Sequence, residues 1–137
     1  MNIKRFVIAG FVIGLVAFLT DGLIHQVFLA DTYAGMKELV APAEQMSKWF
    51  GLFVVGRFVF GFLLARVFIY GFSNGGVMEG LRFGLLTGLL MWIPILCVYV
   101  TFHPYPKTLD IGEPIAGVIQ FLIFGVLLSM IYKPSPE

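Results

Sequence analysis

Four long apolar segments constrain the fold of this chain more than any other feature. Each contains 22 to 24 residues, and they cover 6–29, 49–70, 80–101 and 111–132. At a rise of about 1.5 Å per residue, a helix of that length crosses a hydrocarbon layer about 30 Å thick. Backbone groups must be paired inside lipid, so each segment is expected to be a helix rather than an open strand. The sequence therefore predicts an all-α integral membrane protein: an antiparallel four-helix bundle in a single transmembrane domain of residues 1–137.

Composition supports the same class and excludes several others. Hydrophobic residues make up 59% of the 137 residues and charged residues 12%, which is more apolar surface than a soluble domain of this length can bury. The net charge of +1 comes without a basic cluster, so we expect no nucleic-acid partner. A lone cysteine, Cys97, leaves no internal disulfide. Metalloprotease and nucleotide-binding motifs are missing, so the sequence identifies no catalytic residue.

Lysine and arginine predict the orientation of the chain. Five lie on the side of the two termini and three on the opposite side: Lys4, Arg5, Arg66, Arg82 and Lys133 against Lys37, Lys48 and Lys107. Cytoplasmic segments carry the excess of these residues. We therefore expect both termini in the cytoplasm and a multi-pass location in the bacterial inner membrane, with the lipid bilayer as the main partner.

Glycines recur every four residues in two of the segments. They are Gly10 and Gly14 in the first segment, and Gly80, Gly84 and Gly88 in the third. Faces of small residues at this spacing let helices approach closely in lipid. Two interpretations stay open, namely packing within one chain and contact in a homo-oligomer.

Polar residues inside the apolar segments form the second strong signal. Asp21 lies eight residues before the end of the first segment, and Arg57 lies eight residues after the start of the second. In antiparallel helices both would lie about 12 Å below the same membrane surface. Gln120 and Trp92 fall near that depth by the same count, and His25 lies one turn closer to the surface. The sequence thus predicts a buried polar layer of these five residues.

A charge inside lipid requires a partner, because its burial costs at least about 2.5 kcal/mol. Asp21 is the only carboxylate at the depth of Arg57, so we expect an ion pair between them, with Gln120 or His25 completing its hydrogen bonds. Three polar residues nearer the surface would form the outer mouth of a pocket: Tyr99, His103 and Glu113. The pair has two possible roles, a lock on helix register or part of a proton or substrate path.

The two histidines raise the question of a cofactor. His25 is interpreted as a hydrogen-bond partner in the polar layer. The alternative is bis-histidine haem ligation by His25 and His103, which requires the loop before the fourth segment to fold back. We predict no metal and no cofactor, with haem as the alternative.

The arrangement resembles a group of small bacterial four-helix membrane proteins with no established function. Three stretches carry the resemblance: residues 1–6 leading to 21–25, residues 78–86, and the ending 131–134. The resemblance implies four spans and no particular activity.

Three functions are compatible with these observations. The first is a non-enzymatic accessory or interaction protein, in a larger membrane complex or a homo-oligomer, whose polar layer is structural. The second is a small carrier or binding protein that handles a proton, a lipid headgroup or a quinone through Asp21, His25, Arg57 and Glu113. The third is an electron carrier with haem or a metal.

Overall fold

The computed structural model describes residues 1–36, 41–73 and 76–132, and these residues form helices and turns without a strand. The first helix, α1 (Ile3–Leu23), continues directly into a wider helical turn, Ile24–Phe28, in which hydrogen bonds join residues five apart. The helices are α1 (Ile3–Leu23), α2 (Ala30–Ala34), α3 (Ala43–Tyr70), α4 (Gly76–Phe102) and α5 (Lys107–Ile131). Four of these helices, α1 with its extension, α3, α4 and α5, are long and apolar enough to cross a membrane. The prediction of an all-helical chain with four such helices is confirmed.

The long helices begin earlier than the apolar segments do. Helices α3, α4 and α5 start at residues 43, 76 and 107, whereas the apolar runs start at 49, 80 and 111. Pro42 and Pro106, each with φ of −56°, immediately precede α3 and α5. Proline has a backbone angle suited to a helix start and no N–H to leave unpaired there. The first turns of α3 and α5 contain charged and polar residues, so hydrophobicity alone misses them. Lys37 and Lys133, used in the charge count, lie outside the described residues.

The helices pack most closely at the end of the molecule that holds Asn2 and Tyr132, here called the termini end. There α1 packs against α3 and α5, and α5 packs against α4. The Phe68 and Phe83 rings, 5.1 Å apart, join α3 to α4. Buried residues of α3 all lie between 61 and 68, and those of α4 between 80 and 88. The other halves of α3 and α4 have no buried residue, and the polar site lies between them.

Both glycine faces are covered by helices of the same chain. A Cβ atom at Gly14 would lie 2.8 Å from the Cα of Phe58 in α3, and Gly10 faces the Phe62 ring. On α4, a Cβ atom at Gly88 would lie 3.0 Å from the Cβ of Phe121 in α5. Gly80 and Gly84 approach the α5 backbone more closely still. These glycines therefore allow backbone-to-backbone packing within the chain, and a homo-oligomeric contact stays a prediction.

Gly84→Ala should destabilise the protein by about 1–3 kcal/mol, the usual penalty of overpacking. The added Cβ would overlap the carbonyl oxygen of Phe121 and lie 2.9 Å from the Cα of Leu122, and backbone atoms cannot rotate away. Gly56→Ala is the matched control, because no atom lies within 4 Å of its Cβ position. It should leave stability unchanged or raise it slightly through helix propensity. The free energy of unfolding in detergent, followed by circular dichroism, measures both, and equal effects would contradict this packing.

Candidate binding site

An ion pair between α1 and α3 lies at the centre of the site. The Arg57 Nε atom is 2.5 Å from Asp21 Oδ2. The side chain of Asp21 is 9% exposed and that of Arg57 is 35% exposed. The guanidinium carbon of Arg57 also lies 4.8 Å from the centre of the Phe53 ring, which adds a cation–π contact. The two residues that sequence counting placed at one depth are thus in contact.

Gln120 connects this pair to α5. Its side-chain amide donates to Asp21 Oδ1 at 2.9 Å and to Thr20 Oγ1 at 2.5 Å. The Thr20 hydroxyl in turn donates to the carbonyl oxygen of Val16 at 2.7 Å. Each carboxylate oxygen of Asp21 therefore faces a nitrogen, one from α3 and one from α5. The contact with Arg57 is an ion pair without a hydrogen bond at Oδ2, and the Gln120 amide supplies the hydrogen bond at Oδ1.

His25 does not hydrogen-bond Asp21. Of the two residues that the sequence offered as partners of the ion pair, Gln120 bonds Asp21 and His25 bonds Tyr33. The His25 side chain is 44% exposed, so it is not buried, and its Nδ1 lies 2.8 Å from the Tyr33 hydroxyl. Tyr33 donates to Glu113 Oε1 at 2.7 Å. The wider turn at Ile24–Phe28 is followed directly by α2, and Tyr33 of α2 lies next to His25. The hydrogen bond between Tyr33 of α2 and Glu113 of α5 could not be predicted from the spacing of residues along a helix.

The hydroxyl of Tyr33 stays neutral under ordinary conditions. Burial, and then its hydrogen bond to the Glu113 carboxylate, raise the pKa of Tyr33 well above its usual value. Ionisation would place a second negative charge beside Glu113 in a poorly solvated position. Tyr33 therefore acts as a stable donor between His25 and Glu113.

Side chains of all four long helices line a cavity of about 210 Å³, here called the Arg57 cavity. Its polar lining residues are Asp21, His25, Arg57, Trp92, Glu113 and Gln120. Trp92 fits because Gly117 has no side chain, since a Cβ there would overlap the indole. The indole N–H is buried and has no hydrogen-bond partner in the described ranges. Trp92 thus forms a wall of the cavity without joining the hydrogen-bonded network.

A second cavity of about 340 Å³ lies where α4 ends and α5 begins, here called the outer cavity. Tyr99 and His103 are stacked on its wall with ring centres 4.1 Å apart, and Glu113 lines both cavities. Sequence reasoning missed the role of Asp110, which is fully buried and accepts a hydrogen bond from Lys107 Nζ at 3.0 Å. A lysine three residues before an aspartate near a helix start was the available signal.

The two histidines have separate neighbours. His25 contacts Tyr33, while the His103 Nδ1 lies 3.8 Å from Asp110 Oδ1. Across 1–36, 41–73 and 76–132, no group of three or more His, Cys, Asp or Glu side chains is arranged to hold a metal ion.

Fold and site together define a small helical protein with four membrane-length helices and a polar cavity at its central ion pair. Comparisons of the chain with protein-family models, curated proteins and solved structures find no match. Function is therefore inferred from the geometry of this chain.

Arg57→Leu should lower the free energy of unfolding by about 2–4 kcal/mol, because it leaves the Asp21 carboxylate without a counter-charge. Adding Asp21→Asn should recover at least half of that loss, since asparagine still accepts the hydrogen bond from Gln120. Arg66→Leu is the control, because Arg66 lies at the termini end and bonds the Tyr70 hydroxyl. Unfolding in detergent measures all three, and a double variant no more stable than Arg57→Leu would contradict the coupling.

Proposed function

We propose that this chain is a small binding protein of the bacterial inner membrane that holds the polar, uncharged end of a lipid-soluble molecule, such as a quinone. The observation that carries the proposal is the way Arg57 is used. Asp21 engages its Nε, and the two terminal Nη groups have no hydrogen-bond partner among the described residues. These groups belong to a side chain that is 35% exposed and lines the Arg57 cavity. A guanidinium with free terminal N–H groups is a strong donor for an oxygen atom.

The charge of the Arg57 cavity favours a carbonyl or hydroxyl oxygen over an anion. Arg57 is the only side chain of permanent positive charge on its described lining, whereas Asp21 and Glu113 are both carboxylates. An anionic headgroup would bring a further negative charge beside these carboxylates, in surroundings of low dielectric constant. A neutral oxygen gains the hydrogen bonds of Arg57 without that repulsion.

Access from the bilayer supports a lipid-soluble ligand. Residues 43–60 of α3 are all exposed or partly exposed, and so are residues 89–102 of α4. Arg57 and Phe60 of α3 line the Arg57 cavity together with Met91, Trp92 and Ile95 of α4. A flat or chain-like molecule would therefore enter laterally between these halves, with its polar end directed toward Arg57.

The proposed topology places this cavity in the outer half of the membrane. The four long helices would form an antiparallel bundle with both termini in the cytoplasm, in agreement with the excess of lysine and arginine at the termini end. The ligand would then exchange with the outer leaflet, and the outer cavity would face water.

A second candidate function is that of an accessory subunit, and the exposed half of α3 favours it. Across residues 43–60 no side chain is buried, although this part of the helix borders the polar site. A helix of a partner protein, or of a second copy, would cover this face and complete the wall of the cavity. Purification in mild detergent tests it, and a stoichiometric complex that survives gel filtration is the expected result.

Tryptophan fluorescence tests the binding proposal directly. Trp49→Phe leaves Trp92 as the single tryptophan, inside the Arg57 cavity. Titration with a short-chain benzoquinone should quench Trp92 saturably. The added pair Arg57→Leu and Asp21→Asn should weaken the apparent affinity about 10-fold or more, because a hydrogen bond to a charged group contributes about 1.5–3 kcal/mol.

Two comparisons make this test specific. Arg66→Leu in the same background should leave the affinity unchanged, since Arg66 lies away from the cavity. A fatty-acid carboxylate of similar size should bind more weakly than the quinone. Equal quenching in the Arg57 double variant, or quenching that never saturates, would overturn the proposal.

A further inference from the structure

The outer cavity has aromatic walls contributed by three parts of the chain. Tyr33 comes from α2, Tyr99 from the last turn of α4, and His103 and Tyr105 from the connection to α5. The His103 ring stacks on Tyr99 and meets the Tyr105 ring edge-to-face, with centres 5.0 Å apart. Met36 and Leu109, both buried, complete the apolar lining. The cavity is therefore mainly aromatic and has a volume of about 340 Å³.

Two carboxylates, Asp110 and Glu113, lie on the wall of this aromatic cavity. Asp110 is fully buried on its wall, and Asp110 Oδ1 has no hydrogen-bond partner in the described part of the chain. Lys107 neutralises Asp110 through Oδ2, but it is held by the Val100 carbonyl oxygen and does not line the cavity. Glu113, 15% exposed, adds the charge that remains. A cation inside the cavity would balance that charge.

We propose that the outer cavity binds a quaternary ammonium cation, such as a trimethylammonium group, between these aromatic rings. Aromatic faces attract such cations through their quadrupole, and the attraction reaches about 2 kcal/mol or more when water is excluded. A methylated cation suits the site better than a primary ammonium, because its apolar methyl surface matches the aromatic lining, whereas a primary ammonium would have to give up hydrogen bonds to water. The free oxygen of Asp110 is covered by neighbouring atoms, so the remaining charge of the lining comes from Glu113.

The position of the outer cavity leaves two sources for this cation. The connection between Phe102 and Lys107 separates two membrane-length helices, so the cavity lies at the depth of lipid headgroups. The trimethylammonium group therefore belongs either to a phosphatidylcholine headgroup or to a small solute in the water outside. The chemistry of recognition is the same for both.

Isothermal titration of the purified protein with choline tests the inference, and 3,3-dimethylbutan-1-ol is its neutral isostere. Choline should bind saturably, and the isostere at least 10-fold more weakly. Tyr105→Leu should weaken choline binding about 3- to 30-fold, the range expected from the loss of one cation–π contact. Glu113→Gln should weaken it as well. Tyr70→Leu is the control, because Tyr70 is an exposed tyrosine at the termini end.

Two further experiments identify the source of the cation and test whether the outer cavity is independent of the Arg57 cavity. Nanodiscs that contain phosphatidylcholine should lower the apparent affinity for choline relative to phosphatidylglycerol nanodiscs if a headgroup is the occupant; equal affinity identifies the solute. The variant with both Arg57→Leu and Asp21→Asn should keep choline binding, so the two proposals can fail separately. Equal binding of choline and its isostere, or unchanged affinity in Tyr105→Leu and Glu113→Gln, would overturn the inference.

Discussion

The structure depends on the pairing of two charges in a part of the chain that is otherwise apolar. Asp21 and Arg57 lie on different helices, and neither charge is stable in lipid without the other. Their contact through Arg57 Nε sets the height of α3 relative to α1, and the amide of Gln120 then sets α5 against both. Because Arg57 lies against Oδ2 of Asp21 and Gln120 donates to Oδ1, a shift of one helix by a turn would leave a carboxylate or guanidinium unpaired. The ion pair is therefore expected to favour one register as well as to neutralise charge.

Close packing at the termini end contrasts with the open space at the other end. Glycines bring α1 against α3 and α4 against α5 at backbone distance, while α3 and α4 meet only near the connection that joins them. The remaining halves of α3 and α4 have no buried residue, and the space between them is lined by Arg57 and Trp92. Within that space, Gly117 makes room for the indole of Trp92.

The two cavities differ in chemistry but share one residue. The Arg57 cavity offers donors, whereas the outer cavity offers aromatic faces and negative charge. Glu113 lines both, and the hydrogen bonds from His25 through Tyr33 to Glu113 connect the loop helix α2 to α5. A ligand in one cavity would therefore act on the carboxylate that the other cavity uses. Glu113 therefore joins the two cavities into one polar region at the end of the molecule opposite the termini end.

The sequence by itself determined the helical class, the four membrane-length helices and the common depth of Asp21 and Arg57. Helix rise is constant and a lone charge in lipid is costly, so counting residues was sufficient. Only the tertiary structure decided that His25 bonds Tyr33 rather than Asp21, and that Asp110 is fully buried beside His103. Those contacts depend on the wider turn at Ile24–Phe28 and on the path of two connections. Hydrophobic periodicity carries no information about either, because it records which residues are apolar and not where a loop directs its side chains.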